Sequence, residues 1–176
     1  TELYSDVDGT FPNHHPDPSD PKNLLFCKNR LQDLKYDVGF AFDGDGDRLG
    51  VIDDKGRAIS GDKLLLLLAK EMLKSKKCKV IADVKCSQVV FDEVERLGGK
   101  IFMSKTGHSH IKNNLKKLNA DLAGEMSGHI FFAEDYYGFD DAFFAAVKVL
   151  EIINNNDKKL SDLVDGIPRV FNTPEI

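Results

Sequence analysis

Three aspartates alternate with two glycines in the stretch FAFDGDGDRLGVID, residues 40–53. They are Asp43, Asp45 and Asp47, and Arg48 follows them directly. Ligand sets made only of oxygen select hard cations such as Mg²⁺ and Ca²⁺, and the glycines let the backbone curl so that the carboxylates converge. An arginine beside such a cluster suits the oxygens of a phosphate. The stretch therefore predicts a Mg²⁺ site that meets a phosphate, and the alternative is a solvated acidic turn.

A calcium EF-hand is the nearest competing interpretation of these aspartates. Its loop also begins with alternating aspartates, but it needs glycine where Arg48 stands and prefers glutamate where Asp54 stands. It also lies between two helices, whereas the preceding stretch YDVGFAF, residues 36–42, is typical of a strand. The sequence thus favours a Mg²⁺ site over an EF-hand.

A second acidic motif, SDVDGTF at residues 5–11, resembles the nucleophile motif of haloacid-dehalogenase-type phosphatases. That motif needs a buried hydrophobic strand before its first aspartate, whereas Tyr4 precedes this one closely and Pro12 follows it. We interpret the stretch as a turn. A metal-dependent phosphatase that uses Asp6 and Asp8 stays open as an alternative function.

Strands alternate with helices in the rest of the chain. Strands are predicted at residues 79–84, 100–104 and 120–123, and helices at 61–77 from an Asp62 cap, 87–99 from a Ser87 cap, 109–119 and 138–156. The last helix places Phe139, Phe143, Val147 and Leu150 on one face. This order predicts the α/β class, with mainly parallel sheet layers and flanking helices.

Polar residues follow each predicted strand at its carboxyl end. The aspartate stretch follows the first strand, Lys85 the second, KTGHS (residues 105–109) the third and GEMSGH (residues 124–129) the fourth. Ligands bind at the carboxyl ends of the strands in open parallel sheets. These loops are therefore expected to form one site.

The KTGHS stretch precedes a helix whose free backbone N–H groups form an anion site, and Lys105 and Lys112 add positive charge. The alternative is that Ser109 simply caps the helix. His108 is either a proton carrier or a hydrogen-bonded loop residue. Lys85 can act in proton transfer if it is partly desolvated, and is otherwise an ordinary surface lysine.

In GEMSGH, Glu125, Ser127 and His129 occupy alternate positions, which share a face on an extended segment. A carboxylate, a hydroxyl and an imidazole that face one way suit a polyhydroxylated ligand. His129 can equally be a structural residue.

Composition limits the remaining function classes. The chain has 176 residues, of which 41% are hydrophobic and 30% charged, as in ordinary soluble globular proteins. The net charge of −5 argues against nucleic-acid binding, and the longest apolar run, residues 64–69, is too short to span a membrane. The 3 cysteines lack metal-ligand spacing and are expected to be reduced in the cytoplasm.

Seven stretches together resemble the α-D-phosphohexomutase family, most closely the bacterial phosphomannomutase/phosphoglucomutase type. They are DGTFPNHHPDPSDPKNL, AFDGDGDRLGVID, GDKLLLLLA, DVKCS, KTGHSHIK, AGEMSGHIFF and DDAFFAA, in that order along nearly the whole chain. The resemblance implies a multidomain enzyme in which a phosphoserine gives its phosphate to a hexose phosphate. The bisphosphate then turns over in the site, and its other phosphate returns to the serine.

The resemblance also implies site residues. The metal ligands for Mg²⁺ would be Asp43, Asp45 and Asp47, with Arg48 near the transferring phosphate. Catalytic residues would be Arg48, Lys85, His108 and His129, and substrate-binding residues Lys105, Thr106, Gly107, His108, Glu125, Ser127 and His129. The substrate would be a mannose or glucose phosphate.

The resemblance implies a domain division as well. Residues 1–56 would be the C-terminal part of domain 2, residues 57–165 domain 3, and residues 166–176 a linker to domain 4. The phosphoserine loop of domain 1 has no counterpart in this sequence, so the chain alone is expected to be catalytically inactive. Self-association through surfaces that the missing domains would cover is a further expectation. A non-catalytic module that binds Mg²⁺ and a sugar phosphate stays open as an alternative.

Overall fold

The computed structural model describes residues 1–169 and has the predicted α/β class. Its helices are α1 (Leu25–Leu34), α2 (Gly61–Ser75), α3 (Gln88–Arg96), α4 (His108–Leu118), α5 (Ala142–Asn154) and α6 (Leu160–Asp165). Its strands are β1 (Val38–Phe42), β2 (Leu49–Asp53), β3 (Ala58–Ile59), β4 (Lys79–Asp83), β5 (Lys100–Ser104), β6 (Leu122–Gly124) and β7 (Ile130–Phe132). Over residues 1–169, none of the helices combines the length and apolar character that crossing a membrane requires.

The strands form two sheets. In the larger sheet the order is β5-β4-β6-β7, and β4 is parallel to both β5 and β6, whereas β7 is antiparallel to β6. In the smaller sheet, β1-β2-β3, both pairings are antiparallel. The expectation that the strand before the aspartates joins a parallel sheet is therefore wrong. Only residues 43–48 separate β1 from β2, and a parallel crossover needs a dozen or more residues.

Helix α2 lies at the centre of the core. Its run Leu64–Leu68 is buried all round, as expected for a helix covered on every side. The helix contacts β2 in the smaller sheet and β4 and β6 in the larger one, so it joins the two sheets. The residue before it is Ser60, so the expected Asp62 cap is wrong. Asp62 instead lies in the first turn, where its carboxylate accepts a 2.6 Å hydrogen bond from Ser87 Oγ.

Helix α3 follows the sequence signals closely, whereas α4 begins earlier and α5 later than expected. Ser87 precedes α3, which ends at Arg96, and Gly98 takes a φ of 85° just after the capping residue Leu97, as expected for a helix stop. Helix α4 begins after Gly107, so Ser109 lies inside the helix and does not cap it. Asp141 caps α5 and accepts a 2.8 Å hydrogen bond from Phe144 N.

The apolar face of α5 that the sequence defines points outward. Phe143 is 61% exposed, and Val147 and Leu150 are also exposed, whereas the buried face carries mainly alanine, valine and isoleucine. Periodicity shows which residues share a face, but it does not show which face is covered.

Ion pairs connect the turn after β2 to α6. Arg57 Nη1 lies 2.7 Å from Asp165 Oδ1, Arg57 Nε lies 2.8 Å from Asp53 Oδ2, and Lys55 Nζ lies 3.1 Å from Asp165 Oδ2. The hydrogen bonds from Arg57 and Lys55 lower the pKa of Asp165 to about 2. This network fixes the smaller sheet against the C-terminal helix.

Candidate active site

The aspartate loop is a tight connection between β1 and β2 that is organised by Asp43. The buried Asp43 Oδ1 accepts 3.0 Å hydrogen bonds from Asp47 N and Arg48 N, and Oδ2 accepts a 2.7 Å bond from Arg48 Nε. Burial raises the pKa of Asp43, but the hydrogen bonds from Arg48 and Asp47 outweigh it, so the pKa lies below its ordinary value. Asp43 is therefore an ionised carboxylate that shapes the loop.

The three predicted metal ligands come together in this loop. Asp43, Asp45 and Asp47 each offer a carboxylate oxygen, and these atoms all lie within 4.8 Å of one another. Burial raises the pKa of Asp47 above its ordinary value, and the neighbouring Asp43 raises it further. An all-oxygen set of this kind fits Mg²⁺ or Ca²⁺.

Arg48 is held on both sides by carboxylates. Besides Asp43, it contacts Asp17, whose Oδ1 lies 3.0 Å from Arg48 Nη1. Asp17 belongs to the proline-rich segment before α1, which sequence reasoning treated as loop. The guanidinium is thus placed beside the metal-ligand candidates.

A short backbone bridge brings the GEMSGH loop to the aspartate loop. Arg48 and His129 form an isolated antiparallel bridge, and Leu49 N donates a 3.1 Å hydrogen bond to Gly128 O. As a result, His129 Nε2 lies 3.3 Å from Asp47 Oδ1. Two loops that are far apart in sequence therefore form one surface.

The alternate polar residues of GEMSGH come together across a turn, not along the extended segment that the sequence suggests, because Gly128 N donates a 3.1 Å hydrogen bond to Glu125 O. His129 Nδ1 lies 2.8 Å from Ser127 Oγ and 3.1 Å from Glu125 Oε2. Burial lowers the pKa of His129, but Glu125 and Asp47 outweigh it and raise the pKa above its ordinary value. The imidazole is oriented by a carboxylate on one ring nitrogen and faces the aspartate loop with the other.

Glu125 also reaches the KTGHS loop. It is 1% exposed, and its Oε1 accepts a 2.5 Å hydrogen bond from Gly107 N. Burial raises the pKa of Glu125, but hydrogen bonds from His129 and Gly107 outweigh it and lower the pKa. The backbone N–H of Gly107 therefore donates to the Glu125 carboxylate, whereas the sequence suggested that it binds an anionic ligand.

The remaining predicted site residues lie in exposed loops. Lys85, Lys105, Thr106 and His108 are all exposed and follow the carboxyl ends of β4 and β5, where Val84 N donates a 2.9 Å hydrogen bond to Ser104 O. His108 Nδ1 lies 3.4 Å from Lys112 Nζ at the start of α4.

Sequence reasoning missed the role of Asp140. Its side chain is buried, and its Oδ1 lies 2.6 Å from Lys112 Nζ. Within residues 1–169, its Oδ2 is buried without a hydrogen-bond partner. One potential metal-ligand atom from each of Asp140, His129 and Asp47 lies within 4.8 Å of the other two, so Asp140 extends the same site. No periodicity or motif distinguished it from Asp141.

The second acidic motif lies at the surface. Asp8 Oδ1 accepts hydrogen bonds from Thr10 N at 2.9 Å and Thr10 Oγ1 at 2.7 Å, and Val7 is fully exposed. No strand precedes it among residues 1–5. This geometry is that of an aspartate-initiated turn.

The comparison with known protein families agrees with this fold and site. Residues 1–56 match the family model of the phosphoglucomutase/phosphomannomutase alpha/beta/alpha domain II, and residues 60–171 match that of domain III. The class of protein is therefore one built from α/β/α domains of this type. The chain belongs to the phosphoglucomutase/phosphomannomutase family, which confirms the resemblance found in the sequence.

Individual relatives support the same assignment. The chain is 48% identical over 177 residues to a phosphoglucomutase of Neisseria meningitidis and 44% identical over 175 residues to a phosphomannomutase/phosphoglucomutase of Pseudomonas putida. These alignments cover 100% and 99% of this chain but 38% of each relative. A crystal structure of a phosphoglucomutase/phosphomannomutase family protein from Burkholderia thailandensis superposes with a TM-score of 0.93 at 45% identity, over 99% of this chain and 38% of that one. The chain thus spans less than half the length of the relatives it matches.

Proposed function

We propose that this chain supplies the metal-binding and sugar-binding surface of a phosphohexomutase that interconverts mannose or glucose 1-phosphate and 6-phosphate. The observation that carries the proposal is the bridge between Arg48 and His129. It places the Asp43, Asp45 and Asp47 oxygens beside the GEMSGH loop, so a phosphate and a sugar can be bound side by side. Neither a calcium buffer nor a simple acidic turn requires that combination.

Asp43, Asp45 and Asp47 would hold Mg²⁺ in this proposal. When bound, Mg²⁺ neutralises the carboxylates and supplies positive charge to the oxygens of a transferring phosphoryl group. Asp43 and Asp17 fix the Arg48 guanidinium, so that it adds a second cationic contact for the same phosphate.

Proton transfer would fall to residues on the sugar-facing side. Glu125 contacts Nδ1 of His129 and so holds the imidazole in one orientation, which is what a positioned acid or base requires. Ser127 would donate hydrogen bonds to sugar hydroxyls and accept hydrogen bonds from them. Lys85 and His108 stay candidates for acid–base work, and Lys105, Thr106 and Gly107 for substrate contact.

The organisation of the whole protein is part of the proposal. Residues 1–56 would complete domain 2, residues 57–165 would form domain 3, and residues 166–176 would lead to domain 4, although residues 170–176 lie outside the described residues. A phosphoserine on another domain would carry the phosphate between turnovers. The cytoplasm is the proposed location, which agrees with three free cysteines.

A titration of this chain with glucose 1,6-bisphosphate, with and without Mg²⁺, tests the proposal. We expect binding that depends on Mg²⁺, without conversion of glucose 1-phosphate to glucose 6-phosphate. Binding without turnover also fits a non-catalytic module. Adding the domain that carries the phosphoserine separates the two: turnover then supports the mutase proposal, and its absence supports the non-catalytic module. Release of phosphate from a simple ester that Asp6→Asn abolishes would favour the phosphatase alternative.

We further propose that the chain self-associates through surfaces on its first part. Among residues 1–169, strand β1 pairs with β2 on one side and with no strand on the other. Its sequence VGFAF carries no charge, and Leu25, Phe26 and Leu34 of α1 are exposed nearby. Uncharged apolar edge strands pair readily with other chains. Light scattering over a wide concentration range should therefore show an average mass that rises with concentration, and a constant monomer mass would contradict this.

A further inference from the structure

Asp83 connects three loops of the candidate site. It is the last residue of β4 and is 1% exposed. Its Oδ1 accepts hydrogen bonds from Cys86 Sγ at 3.0 Å and, more weakly, from Met126 N at 3.4 Å, and its Oδ2 accepts one from Thr106 Oγ1 at 3.1 Å. These donors belong to the Lys85 loop, the GEMSGH loop and the KTGHS loop.

Core packing alone does not account for a carboxylate at this position. The preceding residues of β4, Val80, Ile81 and Ala82, are apolar and fully buried. A buried carboxylate is costly unless hydrogen-bond donors surround it. Here the donors come from three different loops, so one side chain couples the positions of all three.

A second buried carboxylate strengthens the same connection. Asp83 contacts Thr106 and Met126, while Glu125 accepts the hydrogen bond from Gly107 N. Thr106 directly precedes Gly107, and Met126 directly follows Glu125. Adjacent residues of both loops are therefore tied together twice, which fixes their spacing and relative orientation.

We propose that Asp83 is a positioning residue, which holds the KTGHS loop against the GEMSGH loop so that both contact one hexose phosphate. The inference rests on the function proposed above. Asp83 itself does not contact the substrate in this proposal. Its replacement is therefore expected to lower ligand affinity more than it lowers the stability of the fold.

The test compares Asp83→Ala with Asp83→Asn. Asparagine keeps an acceptor for Met126 N and Cys86 Sγ and can donate its amide to Thr106 Oγ1, whereas alanine removes all three contacts. We expect Asp83→Ala to weaken binding of glucose 1,6-bisphosphate in Mg²⁺ by at least about tenfold, and Asp83→Asn to stay within about threefold of wild type. Amide hydrogen exchange at Gly107 and Met126 should accelerate in the alanine variant only.

Val94→Ala is the matched control, because Val94 is fully buried in the core but belongs to none of the three loops. It should lower the melting temperature without changing the affinity or the exchange of those two amides. The proposal is overturned if Asp83→Ala leaves affinity and exchange unchanged, or if Val94→Ala changes both as strongly.

Two further measurements keep the test decisive. If Asp83→Ala does not fold, Thr106→Val replaces it, with Thr106→Ser as the variant that keeps the hydroxyl. Accelerated exchange at Gly107 in the valine variant alone then supports the proposal, and equal exchange in both variants contradicts it. If wild type binds no bisphosphate, the proposed function fails, whereas hydrogen exchange at Gly107 and Met126 still decides whether Asp83 holds the loops.

Discussion

Replacing Asp45 by asparagine is expected to weaken Mg²⁺ binding by at least about tenfold, because cation affinity at such sites follows the number of charged ligands. The fold should keep its stability, since Asp45 is exposed and makes none of the loop hydrogen bonds that Asp43 makes. Removing one of three clustered negative charges also relieves their repulsion in the absence of metal. Calorimetric titration with Mg²⁺ and thermal unfolding measure the two effects separately.

Asp33→Asn is the matched control for charge, because Asp33 is exposed on α1 outside the aspartate loop. It should change neither Mg²⁺ affinity nor stability. Asp43→Ala should behave differently from both, since it leaves Asp47 N and Arg48 N without their acceptor and costs about 1–3 kcal/mol of unfolding free energy. Equal Mg²⁺ affinity of wild type and Asp45→Asn would contradict the assignment of the metal ligands.

Replacing Gly61 by alanine is expected to disturb the site through a steric clash. A Cβ atom at Gly61 would lie 2.4 Å from Glu125 O and 2.6 Å from Met126 O, which are backbone atoms of the GEMSGH loop. Either α2 or the loop must move, and such overpacking costs about 1–3 kcal/mol. Because Glu125 holds both Gly107 and His129, binding of the bisphosphate should weaken as well.

Gly9→Ala provides the control, since a Cβ atom there would meet no atom within 4 Å. Urea denaturation should show a lower unfolding free energy for Gly61→Ala and an unchanged value for Gly9→Ala. Wild-type stability and affinity in Gly61→Ala would show that the start of α2 does not constrain the GEMSGH loop.

The sequence predicted the parts of the site that depend on residue type and local spacing. Alternating Asp-Gly predicted the converging carboxylates. Alternation in GEMSGH predicted that Glu125, Ser127 and His129 share a face, but it did so for an extended segment, whereas residues 125–128 form a turn. The sequence did not predict that β1 and β2 form an antiparallel pair, because the sequence LGVID of β2 directly follows the aspartate motif and gives no separate strand signal. The bridge between Arg48 and His129 depends on that pair and is a long-range contact without a local signal.

The sequence also did not indicate which carboxylates are buried. Asp83 and Asp140 look like ordinary polar residues at a strand end and a helix start, and only the folded chain shows that each is enclosed. The outward face of α5 illustrates the same limit, since Phe143 and Val147 have core-like chemistry but lie at the surface. Burial depends on what packs against an element, and the sequence pattern of the element itself does not contain that information.

The titration of this chain with glucose 1,6-bisphosphate tests the central claim most directly when it is run on wild type and Asp45→Asn in parallel. The account predicts saturable binding to wild type that strengthens with Mg²⁺, and a loss of that Mg²⁺ dependence in Asp45→Asn. Binding that is the same with and without Mg²⁺, and the same in both proteins, would contradict a joint metal and sugar-phosphate site at the Asp43–Asp47 loop.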